Sequence, residues 1–132
     1  MNESEKNSSS FVLTPDMPPP DFLDIYGKEL WRRLVADVSA VRGADGGAYT
    51  TLTLACDAYS EFRHAKKEVD KQGITYMTSD GNVKAHPAVA IQRNACKQLH
   101  AYLAELGMTP ASKKKIVAAK QTDEDPASKY FD

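Results

Sequence analysis

Two cysteines in 132 residues are too few for a disulfide scaffold, and they point to a reducing compartment. No apolar run approaches the roughly 20 residues of a membrane-spanning helix, so an integral membrane role is excluded. The polar stretch Met1 to Ser10 lacks the apolar core of a secretory signal, and without secretion Asn7-Ser8-Ser9 has no meaning as a glycosylation acceptor. Aromatic residues make up only 8%, and none alternates with basic ones, which argues against a stacking platform for single strands. Paired CxxC and HExxH spacings are missing. Cys96 and His100 share a helical face, but a structural zinc site needs four ligands, so no metal is expected. Gly43, Gly46 and Gly47 precede no Lys-Ser/Thr and follow no strand, so they form no phosphate loop and no cofactor is expected. Asp21, Asp24 and Asp37 read as a solvated face plus capping, and Glu61, Glu68 and Asp70 have basic neighbours at helical spacing. Enzymatic activity is not expected.

What is present is an uneven charge. The net charge of −1 divides into −5 over residues 1–61, +7 over 62–120 and −3 over the last twelve. A basic segment between acidic ends suits a polyanion, or complementary pairing between copies of the chain.

Residues 1–20 read as a disordered lead that ends in Pro18-Pro19-Pro20. A helical domain is expected over 21–119, followed by an acidic flexible tail over 120–132. Asp21 serves as the expected N-cap of a first helix reaching about Val41, with Leu23, Tyr26, Leu30, Leu34, Val38 and Val41 as its stripe, broadened by Trp31 and Val35. Gly27 inside this helix suggests another backbone at close range. A second helix is predicted from about Ala48 to Lys71, with Leu52, Ala55, Tyr59, Phe62, Ala65 and Val69 inward and Gly73 as its left-handed stop. The period then changes to that of a hairpin around Asp80-Gly81. Pro87 opens a third helix with Ala88, Ile91, Ala95, Leu99, Tyr102, Leu103 and Leu106 as its stripe, closed by Gly107. Thr109-Pro110 then starts a short fourth helix as N-cap and first position. The fold class is mostly α: three long amphipathic helices plus a short C-terminal helix, with one β-hairpin between the second and third helices.

The cationic residues are the candidate site. Lys113, Lys114 and Lys115 at the start of the fourth helix, with Lys120 beyond, can hold phosphates by charge with little base selectivity. Arg63, Lys66 and Lys67 form a second patch, with Arg32 and Arg33 as further candidates. Trp31, Tyr26, Tyr76 and Tyr102 are the candidates for an interface between subunits, with core anchoring the other reading of Trp31 and Tyr26.

The order of these pieces carries a resemblance. It lies in Pro20-Asp21-Phe22-Leu23, Glu29-Leu30-Trp31-Arg32-Arg33-Leu34, Leu54-Ala55-Cys56-Asp57-Ala58-Tyr59, Gly73-Ile74, Asp80-Gly81, His86-Pro87-Ala88 and Leu106-Gly107-Met108-Thr109-Pro110-Ala111-Ser112-Lys113. Over about residues 15–117 the chain resembles the small subunit of tailed-bacteriophage terminases, in the branch of cohesive-end phages. His86 stands where that family commonly has asparagine, and Lys113 and Lys115 where it commonly has arginine. Lysine keeps the charge without the bidentate fork, which favours phosphate over base contacts. The resemblance implies a non-enzymatic subunit of the host-cell cytoplasm. Such a subunit binds double-stranded viral DNA at the packaging site, assembles into a ring homo-oligomer and recruits the large terminase subunit. The alternative is a helical interaction adaptor that binds no DNA, and a metal-dependent hydrolase stands third.

Overall fold

A computed structural model describes residues 12–43 and 45–112 of the chain. The first helix, α1 (Ile25–Arg42), begins at Asp24 rather than at Asp21. Asp24 Oδ1 accepts from the backbone N–H of Tyr26 at 3.1 Å and of Gly27 at 3.0 Å, filling two of the donor positions a helix start leaves open. Asp21 instead sits in a turn closed by Leu23 N–H donating to the Pro20 carbonyl at 3.2 Å.

The second helix, α2 (Gly47–Gln72), stops at Gly73, whose φ of 88° is the backbone value that glycine tolerates best. A short antiparallel pair follows, β1 (Thr75–Met77) and β2 (Val83–Ala85), with Thr75 opposite Ala85 and Met77 opposite Val83. Gly81, at φ 84°, makes the turn between them. The third helix, α3 (Pro87–Glu105), takes His86 as its N-cap and Pro87 in its first turn. Beyond Gly107 the start of a fourth helix is visible. Ser112 N–H donates to Thr109 Oγ1 at 3.2 Å, while Thr109 N–H donates to Ser112 Oγ at 3.1 Å, a reciprocal cap around Pro110. The rest of that expected helix lies outside the described residues.

α2 packs against both α1 and α3. The core joins Leu30, Trp31, Val35 and Val38 of α1 to Leu52, Ala55 and Cys56 of α2, with Leu106 inserted from the end of α3. Each large side chain of this set withdraws enough apolar area to contribute about 1.5–3 kcal/mol. The observed stripe of α1 is thus rotated toward Trp31 and Val35, and Tyr26, Leu34 and Val41 are only half-buried.

Two expectations are corrected here. The lead is not all loose: Leu13 is buried in the core, and Met17 packs against the same cluster. Trp31 Nε1 donates to the Met17 carbonyl at 2.8 Å and Ser39 Oγ to the Leu13 carbonyl at 3.1 Å, so the segment's backbone is tied to α1. Ile91, expected inward, is exposed; α3 buries Ala88 and Ala95, and it meets the core cluster through Leu99, Tyr102 and, just past its end, Leu106.

Candidate nucleic-acid interface

The basic residues of the α2 midsection stand at helical spacing on its outer side. Tyr59, Arg63, Lys67 and Lys71 follow one another by four, so their side chains line one ridge. α1 adds a ring to this ridge because the Asp24 cap brings the start of α1 against the middle of α2. Tyr26 lies under Arg63, whose guanidinium carbon is 4.5 Å from the ring centroid, and Lys67 Nζ is 5.7 Å from the same centroid. Lys67 also donates to Tyr26 Oη at 3.0 Å, and Arg63 Nη1 to Tyr59 Oη at 2.7 Å.

Two phenol rings therefore hold two cations in place without neutralising them. The Tyr59 hydroxyl holds the Arg63 charge more firmly still, raising its pKa. A cation over a ring face is restrained by the ring's charge distribution while its N–H groups stay free for an anion. Beyond Lys67 a shallow open groove is lined by His64, Lys67, Glu68, Asp70 and Lys71.

The remaining candidates divide. Lys66 donates to Asp70 at 2.6 Å and is partly neutralised. Arg33 pairs with Glu29 at 2.7 Å, and the Glu29 charge also acts on Arg63, so Arg33 belongs to the same surface. Arg32 does not; it lines a cleft with Pro15, Met17 and Pro19 beside Trp31. Lys113, Lys114, Lys115 and Lys120 lie outside the described residues.

Among the aromatic candidates, Trp31 is fully buried within its own chain and offers no surface to a second copy. Its edge meets the Tyr49 ring at 5.5 Å. Tyr102 is half-buried against the core, and Tyr76 is exposed on the hairpin. Tyr26 belongs to the cationic ridge. His64, whose Nε2 is 2.7 Å from Asp24 Oδ2, and Tyr59 were not among the expected site residues; the four-residue spacing along α2 signals Tyr59, and nothing local signals His64. Among the described residues no three His, Cys, Asp or Glu side chains converge as a metal site would require, and no helix is long and apolar enough to cross a membrane.

A family model described as phage terminase, small subunit, matches residues 27–123. The chain belongs to that family. No curated protein and no solved structure matches it significantly. The match runs from the first turn of α1 through α3 and past Thr109, so Tyr59, Arg63, Lys67 and Lys71 lie inside it and Tyr26 one residue before its start. As a terminase small subunit the protein has a role in phage DNA packaging, in a family that is generally regulatory and non-catalytic.

Proposed function

We propose that this terminase small subunit binds double-stranded packaging-site DNA as a ring homo-oligomer, and recruits and regulates the large terminase subunit in the host-cell cytoplasm. The observation that carries the DNA-binding reading is the ridge in which Tyr26 and Tyr59 hold Arg63 and Lys67 outward as fixed cations. Fixed cations at roughly one-helical-turn spacing suit phosphates, and they carry no base selectivity of their own. Lys113, Lys114, Lys115 and Lys120 add charge that follows the same logic, Lys66 and Arg33 add less because each is already paired, and Arg32 would act from a separate surface. A few lysines per chain bind weakly; repeating them around a ring raises the effective concentration of cations at the duplex.

The test is a duplex-binding titration across salt concentrations with Arg63→Ala/Lys67→Ala beside the unaltered chain. Each lost phosphate contact lowers the log–log salt slope by about 0.9, uniformly across DNA sequences. An unchanged slope removes the ridge from the interface. No duplex binding at any salt leaves the adaptor reading in its place.

A further inference from the structure

The second oxygen of the α1 cap is claimed by α2. Asp24 Oδ1 accepts from the backbone N–H of Tyr26 and of Gly27, while Oδ2 accepts from the Ser60 hydroxyl and from His64 Nε2, 2.7 Å away. All four acceptor positions of one carboxylate are filled, two by each helix. These donors, the Gly27 N–H first among them, hold Asp24 well below the usual carboxylate range, so it is ionised. With an ionised acceptor opposite, His64 Nε2 carries the proton.

His64 also meets the Tyr26 ring edge-on, with centroids 5.1 Å apart and planes at 76°. Tyr26 is therefore held twice by one carboxylate: its backbone by Oδ1 directly, and its ring through the histidine bound to Oδ2. That ring is the one beneath Arg63 and Lys67, so three neighbouring side chains of α2 converge on it. We infer that Asp24 and His64 are positioning residues for DNA binding: without touching the duplex, they fix the Tyr26 ring that in turn fixes Arg63 and Lys67. This inference rests on the cationic-ridge reading above and names what keeps the ridge in shape.

The charge of Asp24 works against the duplex. A carboxylate beside a phosphate-binding surface repels phosphates, so by charge alone its removal would tighten binding. Against this, a cation already held in place loses less freedom on binding than a loose one. A loss of affinity is therefore expected where charge alone would give a gain.

Asp24→Asn separates the two. Asparagine still caps α1 through its amide oxygen, but its amide nitrogen is a donor and cannot accept from Ser60 or His64. Duplex binding at fixed low salt should weaken about two- to tenfold. In a Tyr26→Leu chain, which has no ring to position, the same substitution should weaken nothing further, a coupling read from the double-mutant cycle. The NMR order parameter of the Arg63 Nε–H should fall in the DNA-free Asp24→Asn chain, which a loss of overall stability in a still-folded protein would not produce. Tighter or unchanged duplex binding, the same factor in both backgrounds, or an unaltered order parameter overturns the positioning role and leaves the ridge standing. An unchanged salt slope for Arg63→Ala/Lys67→Ala overturns both. If Asp24→Asn loses its helical circular dichroism, His64→Leu, which spares the cap and the Ser60 bond, enters the same cycle. It should show the same coupling to Tyr26, and independent effects overturn the proposal.

Discussion

Ser60 of α2 donates its hydroxyl to Asp24, the residue that caps α1, so one carboxylate both starts a helix and fastens it to its neighbour. The Gly27 backbone N–H, the Ser60 hydroxyl and His64 together hold Asp24 well below the usual carboxylate range, at about 2. A folded-state value below the unfolded one means stability that is present above the unfolded value and lost as pH falls through the folded one. The stabilisation from Asp24 is therefore expected intact at neutral pH and to fade as pH drops from 3.8 towards about 2. Asp24→Ala removes the cap, at about 1 kcal/mol, and leaves the buried Ser60 hydroxyl short of its acceptor. Urea denaturation at neutral pH should show a loss of about 2 kcal/mol. The gap between the two chains should narrow across that acid range, and a constant gap would deny Asp24 its charged role.

At Gly27 the backbone of α1 passes close to that of α2. A Cβ there would lie 3.2 Å from Leu23 Cβ, 3.3 Å from Leu23 Cδ2 and 3.3 Å from the Cys56 carbonyl oxygen. Leu23 is buried and the Cys56 carbonyl belongs to α2, so neither yields easily. Alanine gains about 1 kcal/mol in helix propensity, whereas overpacking costs about 1–3 kcal/mol. Gly27→Ala should therefore lower the melting temperature, and a rise would show that the helices can part at no cost.

What was legible in the sequence is what is decided locally. Gly73, Asp80-Gly81, Pro87 and the Thr109 cap each act within a few residues of themselves, and each stands where its chemistry put it. The start of α1 could be placed only with its neighbour in view, since Asp24 gains Ser60 and His64 from α2 and Asp21 gains neither. The ordered stretch 12–20 was hidden for the same reason. Its polar and proline-rich composition reads as loose, but Trp31 Nε1 finds its acceptor there. In the candidate site the basic ridge was legible from spacing, while the ring beneath it was not. Nothing local in the sequence joins Tyr26 to Arg63.

The two thiols should behave differently. Burial pushes Cys56 up to about 12, while Cys96 is exposed on α3. Only the thiolate attacks a disulfide reagent, so the folded chain should react at Cys96 alone, and the unfolded chain at both sites. Cys96→Ser should then abolish the reaction of the folded protein. Residual labelling of that variant at the same rate would mean that α1 and α2 separate far more readily than their packing implies.

His86 does more at the start of α3 than cap it. The Ala88 backbone N–H donates to His86 Nδ1 at 3.1 Å, so that nitrogen is the acceptor and Nε2 carries the proton. Nε2 then donates to Gln72 Oε1 at 2.7 Å, tying the cap of α3 to the last residue of α2 across the base of the hairpin. Asparagine can supply the acceptor but is too short to offer the second arm as well. His86→Asn should thus keep the cap and cost a few tenths of a kcal/mol, whereas His86→Ala should cost about 1 kcal/mol or more by removing it. Gln72→Ala supplies the control: it should lower stability in the histidine chain and change nothing in the asparagine chain, a non-additivity read directly from a double-mutant cycle. Equal effects of Gln72→Ala in both chains would mean that the histidine caps α3 and does no more.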